Sequence, residues 1–571
     1  MTKFLKRLYS FKSYSFLIGL VILLLVLVVY FFNQGYYIGR NPFPSGDEPD
    51  YLVGAMKIDQ YGGGSKFISY LVTGSYTESR KHPFYMFLLS FFESKGLEFF
   101  VYSKYFNFFT GAILLSLSFF ALKRMFNYLA SLYFVFILAL NEQILSETSL
   151  VVPDNLMMLL VLLTCYFYYL GFEAKEKKRT YFWKKRTYFW VFGSIFSALT
   201  YLTKPNGIFL ISSFCLASII LLKKSIFRSK SFYVAIITFL LIVSPLLVRN
   251  IKLYGNPFYN NNVSLLWIEN RQVRRAPDFE QKPPSIKSYL SNKSVLEEVK
   301  LYGENFVKMA SNLSMLVLYG NWRWRYSFPL FLLTILAILV DGKKNRKVFL
   351  GVFFAISYLF YAYNFRVSPH YRHLMPITFI PIGFISVFAK NFSDKFFRKY
   401  ARVFYTALLG LVIGLGLYFS FNKLYYEERL TFRVFEGQVD IPEVHIAVRD
   451  WLTSNVNTGD IYVMGLDDNF TFMWYADIKG KRIIQPYFES FDEFSKFLID
   501  NRVKYVVLGG QSVNSFPEIY ENYFIRRKNT PDYIYKVNGD PVGWKQVYQH
   551  PYANERSFKA LIYSVENLWR N

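Results

Sequence analysis

The residues able to do chemistry fall into an acidic set and a basic set. Ser45-Gly46-Asp47-Glu48-Pro49-Asp50-Tyr51 places three carboxylates within four positions. Glu147 and Asp154 form a second acidic stretch. The basic set is spread along the chain. It comprises His82, Lys204 in Thr203-Lys204-Pro205-Asn206-Gly207, Arg249 in Pro245-Leu246-Leu247-Val248-Arg249-Asn250, and the crowded run Arg366, His370, Arg372 and His373. Carboxylates can take a proton from a hydroxyl or hold a divalent cation. Lys and Arg can absorb the charge that develops on a phosphate as a group leaves it. Together the two sets suit transfer of a group from a phosphate carrier to a hydroxyl.

The element that must bring them to one level is a membrane. The chain has 571 residues, 53% hydrophobic, 21% aromatic and 19% charged. An ordinary soluble domain carries roughly 25% charged residues. Apolar runs recur at 16–32, 99–122, 125–140, 155–172, 188–203, 207–223, 231–249, 328–340, 347–363, 374–389 and 403–420. Most hold, or fall just short of, the roughly 17–25 residues that cross about 30 Å of hydrocarbon. The expected class is a polytopic α-helical membrane protein of about eleven spans. The first run follows Lys3, Lys6, Arg7 and Lys12, is long for a signal-peptide core, and has no small-x-small site after it. It reads as a retained anchor. Pro83 to Phe92 is too short to span and is expected at the interface.

Charge sets the orientation. With the N-terminus inside, the short cytoplasmic pieces hold 26 Lys and Arg, and the short outer loops hold three. That asymmetry follows the positive-inside rule. It places both sets at the outer edge of the bilayer. It also explains much of the net charge of +26 without a nucleic-acid partner. The expected location is the inner (plasma) membrane of a bacterium, with these edges periplasmic or extracytoplasmic. Cys165 and Cys215 each lie inside an apolar run, which leaves no disulfide framework. A tandem heptapeptide, Lys177 to Trp183 and Lys184 to Trp190, is too short for a coiled coil and reads as a basic loop at the membrane surface.

Two domains are expected. Residues 1–423 form the membrane domain, with outer loops at about 33–82 and 250–326. Residues 424–571 have the composition of a soluble α/β or α+β domain, expected outside the membrane. Helices are expected at Pro442 to Leu452 and Phe491 to Ile499. Strands are expected at Ile461 to Met464, Tyr505 to Leu508 and Lys559 to Val565. Within the 250–326 loop, Ser294 to Met309 reads as helical.

The ordered motifs resemble those of the GT-C-fold glycosyltransferases, in particular the protein O-mannosyltransferase and aminoarabinose transferase (ArnT) families. Gly46-Asp47-Glu48-Pro49-Asp50-Tyr51 is similar to their Asp-Glu-x-x-Tyr motif in the first outer loop. His82-Pro83-Phe84 resembles His-Pro-Pro, with Phe in place of the second Pro. Glu147 to Asp154 resembles their acidic third loop, and Thr203 to Gly207 their Thr-Lys turn. Pro245 to Asn250 and His370 to Pro376 fit later segments. The resemblance runs in order over about residues 16–420. It implies a sugar donor on a polyprenyl phosphate, an extracytoplasmic acceptor and inversion at the anomeric carbon. It implies Asp47 as the general base or acceptor-orienting carboxylate, with Glu48 and Asp154 supporting it or holding a metal. Lys204 and Arg372 would hold the donor phosphate, with Asp154, Arg249, His370 and His82 in the substrate site. Asp47 and Asp154 are also the expected ligands if a divalent cation takes part.

Each residue also has a reading without chemistry. Asp47 to Asp50 suits a first helical turn. Asp154 suits a helix cap. Lys204 can snorkel to the interface, Arg249 can anchor a helix end, and His82 can be structural. Gly62-Gly63-Gly64 lacks the continuation of a phosphate loop and reads as a hinge. Two other functions share the overall pattern: a transporter or flippase of lipid-linked sugars, and a non-catalytic envelope assembly protein.

Overall fold

A computed structural model of the chain describes residues 11–41, 44, 46–60, 62–78, 81–92, 98–174, 181–268, 285–291, 294–318, 324–396, 410, 414, 443–465, 478–484, 488, 490–509, 522–526, 534–536, 538–551 and 557–570. The chain divides into two compact units. The first comprises residues 1–41, 54–262 and 293–437, and the second 42–53, 263–292 and 438–571.

The helices, in chain order, are α1 (Phe11–Gly39), α2 (Glu48–Gln60), α3 (Gly63–Thr73), α4 (Pro83–Leu89), α5 (Glu98–Met125), α6 (Tyr128–Leu140), α7 (Glu142–Thr148), α8 (Asp154–Glu173), α9 (Tyr181–Thr203), α10 (Ile208–Leu222), α11 (Lys230–Tyr254), α12 (Ile286–Ser291), α13 (Val295–Val317), α14 (Trp324–Val340), α15 (Lys344–Asn364) and α16 (Phe379–Phe396). The first outer loop is therefore helical over much of its length. The glycine triplet starts α3, with Gly62 at φ +93°, a left-handed conformation that glycine adopts without strain. It is a helix start rather than a hinge.

Among the described residues, six helical stretches are long and apolar enough to cross a membrane, and two bent pairs raise the number to eight. The expected count of eleven is not reproduced by this measure. Runs 125–140 and 374–389 are the bent pairs: α6 with α7 at 63°, and Tyr371–Ile377 with Phe379–Asp394 at 54°. Run 188–203 is helical in α9, but Lys184, Lys185 and Arg186 enter its early turns. Run 328–340 is a shorter apolar helix, and 403–420 lies outside the described residues.

Asn141 makes the break between α6 and α7. It is the C-cap of one helix and the N-cap of the next, its Oδ1 accepting from the Ile144 N–H. Its Nδ2 donates to the Met315 carbonyl at 2.9 Å. A cap in mid-span satisfies backbone groups that the bend would otherwise leave bare. Elsewhere helices approach closely. A Cβ on Gly171 of α8 would overlap the ring of Trp190 on α9, and that ring is fully buried.

The C-terminal part of the second unit is a mixed seven-stranded sheet. Its strands are β1 (Ile461–Gly465), β2 (Lys481–Ile484), β3 (Tyr505–Gly509), β4 (Phe524–Arg526), β5 (Ile534–Lys536), β6 (Lys545–Pro551) and β7 (Ser557–Ser564). The order is β2-β1-β3-β7-β5-β4, with β6 also paired to β7. β1 is parallel to β2 and β3, and the other pairs are antiparallel. Alternate residues face two cores. Val463, Val506 and Leu508 pack with Phe494 and Leu498 of helix α18 (Phe491–Asp500). Tyr462, Met464 and Val507 pack with Val448 and Leu452 of α17 (Glu443–Asn455). The expected helices and strands here are present within a few residues of their expected ends.

In the first unit, Arg346 at the start of α15 is 2% exposed and Asp341, in the preceding turn, 4%. The guanidinium grips both carboxylate oxygens, Nε–Oδ2 at 2.8 Å and Nη2–Oδ1 at 2.5 Å. Its Nη1 donates to the Met125 carbonyl at 2.7 Å. The rings of Phe126 and Phe384 cover it. One side chain thus ties the α5–α6 turn, the α14–α15 turn and α16. Arg346→Met would strand a buried carboxylate at a cost of about 3–5 kcal/mol. Arg346→Lys cannot reproduce the fork and is expected to recover only part. Thermal unfolding of the purified variants measures both.

Candidate active site

The first cluster is built where α9 stops. Pro205 disfavours helix at the residue before it, and Lys204 is accordingly extended, at φ −146° and ψ 143°. From there its Nζ reaches Asp154 Oδ1 at 2.5 Å. Asp154 is the first residue of α8. Its side chain is 2% exposed and that of Lys204 22%. Asp154 Oδ2 is buried with no hydrogen-bond partner in the structure. Arg372 and His373 lie close enough to act electrostatically on Asp154.

Glu147 closes α7 and is 8% exposed. Its Oε1 accepts from the Tyr371 hydroxyl at 3.3 Å and lies 3.6 Å from His370 Nε2. Arg372, Lys204 and Asp154 also act on it through charge. His373 stacks on Tyr361, and its Nε2 is 2.8 Å from Ser368 Oγ. The Tyr361 hydroxyl accepts from Asn206 Nδ2 at 3.2 Å. The structure therefore gathers Asp154, Lys204, His370 and Arg372 from the predicted set and adds Glu147 and His373, singled out in sequence but given no role there. Tyr361, Tyr371, Asn206 and Ser368 carried no sequence signal of their own.

His82 and Arg249 belong to a second cluster. His82 is the N-cap residue of α4. Its Nδ1–H donates to the Tyr201 carbonyl, three residues before Lys204. Arg249 is 2% exposed. It donates from Nη1 to the Glu78 carbonyl, and from Nε and Nη2 to Asn250 Oδ1 at 3.0 and 2.7 Å. Asn250 Nδ2 passes the link to the Pro257 and Tyr259 carbonyls. Arg249 is thus a positive charge held by a neighbouring side-chain amide and a backbone carbonyl. Beside these residues lies an apolar cavity of about 200 Å³, lined among others by Phe67, Leu71, Phe84, Phe87, Leu202 and Leu246.

Asp47 and Glu48 belong to the second unit. Gly46, at φ +61°, turns the chain into α2. Asp47 is half-buried in that turn, and Glu48 opens the helix fully buried. Acidic residues in a first turn complement the helix dipole, as expected. Among the described residues, no group of three or more His, Cys, Asp or Glu side chains is arranged to hold a metal ion. At Asp154 the place of a cation is taken by the Lys204 ammonium. This donor set fits an organic cation better than a divalent metal.

Two outcomes follow. Lys204→Met leaves the Asp154 carboxylate buried beside only its other neighbours. It should cost on the order of 2 kcal/mol, less than a fully buried pair because Lys204 is partly hydrated. Adding Asp154→Asn should return part of that loss in thermal unfolding. His82 lies outside the spans, and burial, with help from the Arg249 guanidinium, pushes its pKa down to about 4 from 6.5, against the pull of the Tyr201 bond. The unfolded chain then binds the proton first. Its contribution to stability is full above about pH 6.5 and is lost as pH falls toward 4. His82→Asn keeps a donor at the same place, so the variant should lose less thermal stability than wild type between pH 7 and pH 5.

Residues 47–260 match the family model for dolichyl-phosphate-mannose-protein mannosyltransferase. The sequence finds no significant match among curated proteins. In structure it is similar to the oligosaccharyltransferase of Archaeoglobus fulgidus tethered with an acceptor peptide, with a TM-score of 0.52 at 11% identity, covering 93% of this chain and 75% of that one. The same figures hold for the archaeal enzyme AglB in complex with an inhibitory peptide and a dolichol-phosphate. The ArnT structure from Cupriavidus metallidurans in the apo state aligns over 98% of this chain and 99% of its own, at TM-score 0.48 and 12% identity. The chain has the GT-C fold of membrane glycosyltransferases, and over residues 47–260 it is similar to the mannosyltransferase family.

Proposed function

We propose that this chain is an integral membrane glycosyltransferase that moves a sugar from a polyprenyl-phosphate donor to an acceptor hydroxyl, with inversion at the anomeric carbon. The observation that carries the reading is the buried Asp154 carboxylate against the partly exposed Lys204 ammonium, with Arg372 beside it. A phosphate that leaves a sugar gains charge, and fixed cations in a dry site stabilise that charge far better than they would in water. Asp154 aims the Lys204 ammonium and leaves its other N–H groups for phosphate oxygens. The apolar cavity beside His82 suits an isoprenoid chain. The family match and the shared fold support the same reaction class.

In the reaction, the bond between C1 of the sugar and the phosphate oxygen breaks. The acceptor oxygen bonds to C1 from the opposite face, and its proton passes to a carboxylate. Asp47 is the proposed base, on the strength of its sequence motif, with Glu48 in support. The sugar is a hexosyl or pentosyl group, and the acceptor a protein, lipid or envelope glycan. The count of basic residues in the short loops supports a bacterial inner-membrane protein with this chemistry at the extracytoplasmic edge.

The test is reconstitution of the purified protein with a panel of polyprenyl-phosphate sugars and acceptors. Wild type should release polyprenyl phosphate and glycosylate an acceptor. Asp47→Asn should slow transfer by roughly 10²–10⁴-fold, the usual worth of a general base, while its thermal unfolding stays near wild type. A folded Asp47→Asn protein at full rate removes Asp47 from the mechanism. A wild type that turns over no donor removes the proposed function.

A further inference from the structure

We infer that Asn107, inside the candidate span Glu98–Met125 and not itself among the reacting groups, is the residue that positions Asp154. The inference rests on the function proposed above for Asp154.

The turn between α7 and α8 carries Glu147 at one end and Asp154 at the other. It lacks regular structure and lies in a low-dielectric bundle, where each bare carbonyl is costly. Four of its carbonyls find side-chain donors. Asn155 Nδ2 donates to Thr148 O at 3.2 Å. Lys104 Nζ donates to Ser149 O at 2.9 Å. Asn107 Nδ2 donates to Leu150 O, and to Val152 O at 3.2 Å. Lys104 and Asn107 are one turn apart on α5, and each is 1% exposed. They therefore present one polar patch to the turn.

Asn107 is the hub of this patch. Its two N–H bonds hold the turn just before Asp154. Its Oδ1 accepts from the Tyr85 hydroxyl at 2.9 Å, and Tyr85 belongs to α4, the helix that His82 caps. Its own carbonyl accepts from Asn155 Nδ2 at 3.1 Å. One amide thus sets the spacing between the helix led by His82 and the turn that delivers Asp154 to Lys204. A polar contact as short as 2.5 Å between Asp154 and Lys204 tolerates little drift of that turn. A misplacement of about 1 Å in a catalytic group can cost on the order of 10²-fold in rate.

The test uses Asn107→Leu, near in shape and without hydrogen-bonding groups, in the full-length protein. Amide hydrogen exchange over residues 148–156 should speed at least tenfold, with exchange in the distant sheet of the second unit unchanged. In the reconstituted transfer assay kcat should fall 10–100-fold in the wild-type background. In an Asp154→Asn background the same substitution should change kcat less than about twofold, because what it positions is already gone. If Asn107→Leu does not fold, Asn107→Ser, which keeps one hydroxyl donor, should show smaller shifts of the same kind. Unchanged exchange over 148–156 overturns the inference, as does a kcat loss that multiplies with Asp154→Asn. If wild type transfers no sugar, the exchange result still decides the positioning role, and the missing transfer counts against the proposed function.

Discussion

A charge or a carbonyl taken out of water must find its partner inside the protein, and nearly every polar feature of the helical unit answers that constraint. Asp154 meets Lys204. Asp341 meets Arg346. Arg249 spends its donors on a neighbouring amide and a backbone carbonyl. The same rule has different consequences at the two kinds of site. Around Arg346 each guanidinium nitrogen has a hydrogen-bond partner, and the result is a joint between turns. Around Asp154 one carboxylate oxygen is left without a hydrogen bond and a partly hydrated ammonium stands beside it. Surplus bonding capacity at a buried position is what a binding site requires.

The breaks in the helices follow the same logic. A span can bend where something else takes over the backbone bonds. Asn141 does this between α6 and α7. Pro205 does it after α9, and the residue it displaces from the helix is Lys204. Both breaks feed the cluster: one leads into Glu147, the other presents Lys204. The acids and bases therefore sit on helix ends, where a rigid scaffold holds them and a short turn aims them.

Much of this was legible in the sequence because hydropathy is a property of runs. Ten of the eleven apolar runs have a helical counterpart, whether a full span, a bent pair, a short helix or a charged helix, and the eleventh, 403–420, falls outside the described residues. The bends were not legible, since the Asn141 cap depends on a carbonyl at Met315 far along the chain. The grouping of Asp154, Lys204 and Arg372 could be read from their common position at span ends. Asn107 could not, because averaging over a run hides a single amide. Lys104, three residues away, was the available clue: a lone charge inside an apolar segment is rarely idle. The bonds of Arg249 and His82 to backbone carbonyls have no sequence signature. Of the two helices in the first outer loop, the start of one was legible at Asp47 to Asp50, and the other was not, because Gly62-Gly63-Gly64 reads as a hinge.

The acidic turn at Asp47 is part of a unit assembled from three stretches of chain, 42–53, 263–292 and 438–571. During synthesis the first stretch emerges long before the last. Closing so long a loop costs little more free energy than closing one half as long, yet it cannot happen until the final residues exist. The environment of Asp47 is therefore completed last, after the spans that hold Asp154 and Lys204 have been made. A product truncated before residue 438 would keep Lys204 and Arg372 but lack part of the unit to which Asp47 belongs.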